Sequence, residues 1–123
     1  MILVDDAPLL RELARVNLVF AGFDVVAEAG DADEGVTAAA RLQPDVVVLD
    51  VDMPGRTGVE ALPDLVSASP SSGLVVWSSV ETGGVVSRVA ALGAAFVRKT
   101  DDVVVLVDAV RRAAGSSPPS SSG

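Results

Sequence analysis

Residues 46–55 read VVVLDVDMPG: four large aliphatic side chains run directly into Asp50, Val51 and Asp52, and a Met-Pro-Gly segment follows. An uninterrupted apolar run of this kind is typical of a strand that is buried on both faces of a parallel sheet. In open α/β sheets, ligands bind just beyond the carboxyl ends of the strands. The segment therefore predicts a central strand whose end presents carboxylates to a functional site.

The composition of the chain excludes several classes of protein. With 123 residues, half of them hydrophobic and 3% aromatic, the chain is one domain whose core is built from Val, Leu and Ala. It contains no cysteine and no histidine, which excludes disulfides, thiolate or imidazole metal sites and a nucleophile–imidazole pair. The net charge of −8 argues against nucleic acid as a direct partner, because phosphate binding needs a basic surface.

The ends of the chain bear on its location and its domain boundaries. No apolar run approaches the ~20 residues of a membrane-spanning helix, and the chain does not begin with a signal peptide, so we expect a cytoplasmic protein without a membrane partner. Residues 115–123, GSSPPSSSG, are too small and polar to pack into a core. We therefore expect a folded domain at 1–114 and a linker or disordered tail at 115–123.

Apolar runs alternate with amphipathic segments five times along the chain. The alternation predicts strands at 2–6, 24–29, from 46, at 74–78 and at 94–99, each followed by a helix: 8–21, 31–43, 58–68, 82–92 and 102–114. Five consecutive βα units predict an α/β fold with a doubly wound, five-stranded parallel sheet and helices on both faces. The flavodoxin-like strand order 2-1-3-4-5 is the expected one.

Details of three helices follow from the same patterns. In the first, the large apolar residues recur at helical spacing and predict the face that packs on the sheet: Leu9, Leu13, Val16 and Phe20. In the second, Asp31 and Glu34 form a capping box. The last element is ambiguous, because VVVLV at 103–107 favours a strand by propensity, whereas the caps at Asp101 and Asp102 and the basic end of the segment favour a helix. We expect a helix.

Polar side chains follow four of the five predicted strands. Asp5 and Asp6 end the first strand, Asp50 the third, Ser78 the fourth and Lys99 the fifth, and parallel strands bring all of these ends to one rim. Clustered carboxylates without His or Cys suit Mg²⁺, and an ammonium and a hydroxyl beside them suit a phosphoryl group. A carboxylate at the centre can itself be the nucleophile and form an aspartyl phosphate.

Each of these residues has an ordinary structural explanation when taken alone. Asp5 and Asp6 could cap a helix, Ser78 could simply end a strand, and Lys99 could be a surface lysine. Lys99, however, is the only lysine among nine basic residues, and it stands at a strand end on this rim. The joint occurrence of the set at four strand ends favours the functional interpretation.

The motifs VDD (4–6), LDVDMPG (49–55) with Gly58 after it, WSS (77–79) and FVRK (96–99) resemble those of the receiver domain of two-component response regulators. The resemblance extends from residue 2 to about residue 114. It implies that Asp50 is the phosphoacceptor, and that Asp6 and Asp50 bind Mg²⁺ directly together with the backbone carbonyl of Asp52. It also implies that Asp5 helps to bind the ion through water.

The same resemblance assigns roles at the other strand ends. Ser78 would be the hydroxyl switch, Phe96 the aromatic residue that moves with it, and Lys99 the lysine that binds the phosphoryl group. Such a domain catalyses its own phosphorylation and slow dephosphorylation and is not a metabolic enzyme. The sequence departs from the family at Thr100, where proline is usual, and the approach to Lys99 is one residue shorter than the common pattern.

A receiver implies particular partners: a histidine kinase as phosphodonor, a DNA-binding output domain on the C-terminal side that controls transcription, and a homodimer formed on phosphorylation. Two alternatives stay open at this point. VVVLDVD also resembles the opening motif of haloacid dehalogenase-like phosphohydrolases, which use Mg²⁺ and would depend on the side chain of Asp52 rather than on Asp6. A receiver-like interaction module that is never phosphorylated is the other.

Overall fold

The computed structural model describes residues 1–50, 58–79 and 83–114. Within these ranges strands and helices alternate along the chain, as the sequence pattern predicts. The strands are β1 (Ile2–Val4), β2 (Ala27–Ala29), β3 (Val46–Leu49), β4 (Gly73–Ser78) and β5 (Ala95–Arg98). The helices are α1 (Pro8–Phe20), α2 (Ala32–Leu42), α3 (Gly58–Ala68), α4 (Gly83–Ala91) and α5 (Val103–Ala114).

The five strands form one parallel sheet in the order β2-β1-β3-β4-β5, which confirms the predicted topology. In the register of the sheet, Val4 pairs with Leu49, and Ser78 pairs with Arg98. All strands therefore end at the same edge, and the residues that follow them face one another there. β3 lies in the middle of the sheet and is buried along its whole length, in agreement with its uninterrupted apolar sequence.

The helices cover both faces of the sheet. On one face, a buried cluster joins α2, α3 and α4 to the strands and includes Ala39, Leu62 and Leu65. On the other face, a second cluster joins α1 and α5 to the strands and includes Leu18, Trp77 and Leu106. The two clusters make the three-layer sandwich expected for consecutive βα units.

Local sequence signals set several helix ends. Asp31 caps α2, with its Oδ1 accepting from the Glu34 amide at 2.8 Å, while Glu34 Oε1 accepts from the Gly30 amide at 2.9 Å. The ambiguous segment after Lys99 is a helix, and Asp102 Oδ1 accepts from the Val104 amide at its start. Helix α3 spans the predicted residues 58–68.

The predicted inward face of α1 is wrong. Leu9 and Phe20 are 86% and 94% exposed, and Leu13 and Val16 are also exposed. The residues of α1 that are buried against the sheet are Ala14 and Leu18, on the opposite side of the helix. Both sides of α1 are apolar, and the side with the larger residues faces solvent.

The strands are shorter than predicted. β2 begins at Ala27 instead of residue 24, and β1 ends at Val4, so that Asp5 and Asp6 follow the strand rather than belong to it. Asp52, the Met53-Pro54-Gly55 segment and the tail at 115–123 lie outside the described residues. Among the helices of the described residues, none has the length and apolar character needed to cross a membrane.

Candidate functional site

The main-chain hydrogen bonds of the sheet hold the predicted site residues at one edge. The amide of Asp5 donates to the carbonyl of Ala29 at 3.0 Å, and the amide of Asp50 donates to the carbonyl of Val4 at 2.8 Å. The amide of Lys99 donates to the carbonyl of Ser78, also at 2.8 Å. Each site residue is thus attached to the end of a neighbouring strand, which fixes where its side chain begins.

The carboxylates of Asp5 and Asp50 are buried at this edge and are paired with Lys99. The two aspartates are 3% and 2% exposed. Lys99 Nζ lies 3.0 Å from Asp50 Oδ2 and 3.2 Å from Asp5 Oδ2. One ammonium therefore bridges two buried carboxylates, and the shorter approach to β5 does not keep Lys99 from reaching them.

The environment of Lys99 acts on its pKa in two opposing ways. Burial favours the neutral amine and by itself would lower the pKa. The hydrogen bond to Asp50 and the charges of Asp5 and Asp50 favour the ammonium and outweigh burial, so that the pKa of Lys99 is raised above its ordinary value. The side chain is a fixed positive charge at any physiological pH.

Asp5 is held more firmly than a surface carboxylate. Its Oδ1 accepts a hydrogen bond from the Ala7 amide at 2.8 Å, and its main-chain carbonyl accepts one from Arg11 Nη1 at 2.6 Å. Its Oδ2 is buried and forms an ion pair with the Lys99 ammonium 3.2 Å away. A carboxylate oxygen has two lone pairs, so Oδ2 can accept a hydrogen bond from a further ligand beside the ammonium.

Three carboxylates come together beside Lys99. One oxygen each of Asp5, Asp6 and Asp50 lies within 4.8 Å of the others, with Asp5 and Asp50 buried and Asp6 exposed. Mg²⁺ takes oxygen ligands at about 2.0–2.1 Å and keeps several waters, so an octahedral site needs only a few carboxylates at roughly this spacing. The donor set therefore fits a hard divalent cation, with the exposed side toward Asp6 open to water.

The remaining predicted residues that the structure describes lie on β4 and β5. Ser78 is fully buried at the end of β4. Phe96 is half-buried, pairs with Val76 in the sheet and packs against the cluster of α2, α3 and α4. Because side chains alternate along a strand, Ser78 and Phe96 belong to the same face of the sheet.

One neighbour of the site was not singled out from the sequence. The ammonium of Lys99 lies 5.3 Å from the centroid of the Trp77 ring, which is 4% exposed. A tryptophan in an apolar strand is most simply explained as core, and only the pairing of β4 with β5 reveals that a lysine passes over it. The one indication in the sequence was that Trp77 directly precedes Ser78, a predicted site residue.

Comparison with known proteins identifies relatives of the same kind along nearly the whole chain. A family model described as the response regulator receiver domain matches residues 1–111. The chain is 36% identical over 114 residues to the uncharacterized transcriptional regulatory protein YxjL of Bacillus subtilis, covering 91% of this chain and 52% of YxjL. It is 31% identical over 115 residues to the chemotaxis protein CheY of Listeria monocytogenes, covering 93% of this chain and 97% of CheY.

A solved structure shows the same fold. The signal receiver domain of the putative response regulator NarL from Mycobacterium tuberculosis superposes with a TM-score of 0.85 at 28% identity, covering 94% of each chain. Relatives differ in length: the chain spans about half of YxjL and of the regulatory protein DegU of Brevibacillus brevis, but 97% of protein CcdB of Bacillus subtilis. Receiver domains of this kind thus occur both alone and as parts of longer regulators.

Proposed function

This chain belongs to the response regulator receiver domain family, and we propose that it accepts a phosphoryl group on Asp50 from the phosphohistidine of a histidine kinase or from a small phosphodonor. The observation that carries the proposal is the bridge from Lys99 Nζ to Asp50 at 3.0 Å and to Asp5 at 3.2 Å. The bridge supports the proposal because Asp50 is a buried carboxylate that lies beside a fixed positive charge and within an acidic cluster that fits a divalent cation.

The chemistry is a transfer between two nucleophiles. A carboxylate oxygen of Asp50 forms a bond to phosphorus while the bond from phosphorus to the donor nitrogen or oxygen breaks, and the electron pair leaves with the donor. Lys99 offsets charge on the phosphoryl oxygens. Asp6 and Asp50, with the backbone carbonyl of Asp52, would hold Mg²⁺, and Asp5 would help through water; the bound ion neutralises oxygens of the transferring group.

Ser78 and Phe96 would carry the signal away from Asp50. Once Asp50 is phosphorylated, the hydroxyl of Ser78 donates a hydrogen bond to a phosphoryl oxygen and moves toward it. Phe96, which lies on the same face of the sheet and is only half-buried, turns into the space behind it. The surface formed by α4 and β5 then changes its shape for a partner.

The exposed side of α1 supports a helical partner for this domain. Leu9, Leu13, Val16 and Phe20 follow one another at spacings of four, three and four residues, which is the seam spacing of paired helices. An exposed apolar face of this kind marks an interaction surface. It begins at Leu9, three residues after Asp6, so that a helix of the kinase docked along it would lie beside the rim that holds Asp50.

Transcriptional output fits the longer relatives. The chain matches about half of YxjL and DegU, which are described as transcriptional regulatory proteins. We therefore place a DNA-binding output domain beyond the C-terminal end of this receiver in a complete regulator, with homodimerisation on phosphorylation and action in the cytoplasm. We do not expect the receiver itself to contact DNA, because its net charge is −8.

The test is the mass of the intact protein after incubation with acetyl phosphate and Mg²⁺. We expect the chain to gain one phosphoryl group, Asp50→Asn to gain none, and Asp6→Asn to gain little because the cation is lost. Asp108→Asn, which removes an exposed carboxylate of α5 that is not part of the acidic cluster, is the matched control and should behave as the native chain. A folded native chain that gains no phosphoryl group would contradict the proposal. The remaining interpretation would then be an interaction module that is never phosphorylated.

Two further outcomes separate the other interpretations. Turnover of a phosphate ester that depends on Asp52 and not on Asp6 would identify a phosphohydrolase. For the surface on α1, the assay uses a histidine kinase that transfers to the native chain. Leu13→Ser with Phe20→Ser should lose that transfer but keep labelling by acetyl phosphate, and equal transfer to both chains would exclude α1 as the docking surface.

A further inference from the structure

We propose that Trp77 is a positioning residue for Lys99: its ring supports the lysine side chain and holds the ammonium between Asp5 and Asp50. The inference rests on the proposed function, since it gives Trp77 a part in the phosphorylation of Asp50. It is carried by the 5.3 Å distance between Lys99 Nζ and the ring centroid and by the near-complete burial of the ring.

The order of strands requires Lys99 to cross β4. Lys99 follows β5, whereas Asp50 follows β3, and β4 lies between them. Neighbouring strands are ~4.8 Å apart, so the main chain at Lys99 lies about 10 Å, or two strand spacings, from the main chain at Asp50, and the lysine side chain reaches over β4 to meet the carboxylate. Whatever side chain stands at the end of β4 on that face lies underneath the lysine.

Trp77 is that side chain. It pairs with Val97 in the parallel register, and both belong to the cluster on the side of α1 and α5. Lys99 is two residues beyond Val97, and side chains two residues apart on a strand point to the same face. The lysine therefore leaves β5 on the side of the sheet where the Trp77 ring is buried.

The ring restrains the lysine side chain from a direction in which the carboxylates do not. Lysine has a flexible stem of four carbons and loses much rotamer freedom when it is held in one place. The carboxylates attract the ammonium from one side, and the face of an indole attracts it from beneath, because the negative face of the ring favours a cation. Attraction of this kind is strongest where water is excluded, as it is around a ring that is 4% exposed.

The support matters most when the carboxylates are engaged elsewhere. A divalent cation and a phosphoryl group on Asp50 both compete with Lys99 for the same oxygens. A lysine held only by Asp5 and Asp50 would then be free to turn toward solvent. A lysine that also rests on Trp77 stays at the rim, so that its ammonium is already in position when the phosphoryl oxygens arrive.

Two variants that both leave space at the buried position 77 isolate the effect of the aromatic face. Trp77→Phe and Trp77→Leu both remove volume from the same buried position, but only phenylalanine keeps an aromatic face. With acetyl phosphate and Mg²⁺, we expect Trp77→Leu to be phosphorylated roughly threefold to thirtyfold more slowly than the native chain, and Trp77→Phe to recover most of that loss. Thermal unfolding of both variants verifies that they are folded at the assay temperature.

A spectroscopic readout tests the contact without any phosphorylation. Lys99 is the only lysine and Trp77 the only tryptophan, so protein made with isotope-labelled lysine gives one side-chain signal set, shifted by one indole ring. We expect its methylene protons upfield of an exposed lysine in the native chain and at exposed-lysine positions in Trp77→Leu. If the native chain is never phosphorylated, the proposed function fails, while this shift still decides whether Trp77 holds Lys99.

Two results would overturn the proposal. The first is a Lys99 signal without an upfield shift in the native chain, which would mean that the ring does not lie under the side chain in solution. The second is equal phosphorylation of Trp77→Leu and Trp77→Phe. If both were slow, Trp77 would serve only to fill the core, and if both matched the native chain, it would have no part in the reaction.

Discussion

Replacing Lys99 by methionine removes the ammonium but keeps a long unbranched side chain, and it should destabilise the domain in the absence of Mg²⁺. Asp5 and Asp50 are 3% and 2% exposed, and each lies within 3.2 Å of Lys99 Nζ. Removing one partner of a buried ion pair costs about 3–5 kcal/mol. Because the exposed Asp6 lets water reach this rim, we take the loss as about 2–3 kcal/mol. For a domain of this size that lowers the melting temperature by roughly 10 °C.

Mg²⁺ should reverse most of the loss. A divalent cation among the same carboxylates supplies the positive charge that Lys99→Met lacks. In this variant the cation also has no ammonium to compete with for the carboxylate oxygens. A ligand present at about 100 times its dissociation constant stabilises a protein by about 2.7 kcal/mol, which is close to the whole deficit. The stabilisation by Mg²⁺ should therefore be larger for Lys99→Met than for the native chain.

Thermal unfolding followed by far-ultraviolet circular dichroism, with EDTA and then with saturating MgCl₂, measures both effects. Arg112→Met is the matched control: it removes a positive charge from an exposed position on α5 and should melt like the native chain. The reasoning is refuted if Lys99→Met melts within about 2 °C of the native chain in EDTA. It is refuted equally if Mg²⁺ raises the melting temperature of both proteins by the same amount.

Three smaller predictions concern the scaffold, and urea unfolding measures each. Gly35→Ala should lower stability by about 1 kcal/mol although alanine favours helix, because its Cβ would lie 2.7 Å from the stiff side chain of Val4; a more stable variant would show that α2 can shift away from β1. Leu18→Ala should cost about 2–5 kcal/mol, whereas Phe20→Ser, on the exposed side of α1, should change stability by less than about 0.5 kcal/mol; similar losses would contradict the observed orientation of α1. Asp31→Ala should cost about 1 kcal/mol by removing the cap of α2, and no loss would mean that the cap is replaced by water.

Much of the fold could be predicted because the sequence patterns of its elements are unambiguous. The uninterrupted apolar run at 46–49 has no reasonable place except the middle of a parallel sheet, and five βα units leave few topologies for it. Asp31 and Glu34 mark the start of α2 through hydrogen bonds that depend only on local sequence. Signals of this kind do not require knowledge of distant contacts.

The orientation of α1 could not be predicted by the same means. The apolar residues on both sides of α1 recur at helical spacing, and the larger ones, including Leu9 and Phe20, lie on the exposed side. Periodicity identifies an apolar side but not which of two such sides packs on the sheet. The answer depends on the space left between α1 and the strands, where Ala14 fits closely.

The site shows the same division between local and tertiary information. Asp5, Asp50, Ser78 and Lys99 could be named because the ends of parallel strands must meet at one edge. The contact between Lys99 and Trp77 could not, because it depends on the register of β4 and β5 and on a side chain that crosses a strand.

The charges at the rim suggest why cation binding must come before transfer. Among the described residues of this rim, three carboxylates lie beside one ammonium, which is a formal net charge of −2 (three negative, one positive) at the place where a phosphoryl group would arrive. Such a group carries negative charge itself and is repelled unless a divalent cation first neutralises the cluster. After transfer, Asp50 would carry one more negative charge than before. Among the described residues, the divalent cation and Lys99 would already be balanced by the three carboxylates. Ser78 ends β4 with a buried hydroxyl, and the added negative charge on Asp50 would supply the attraction that moves it.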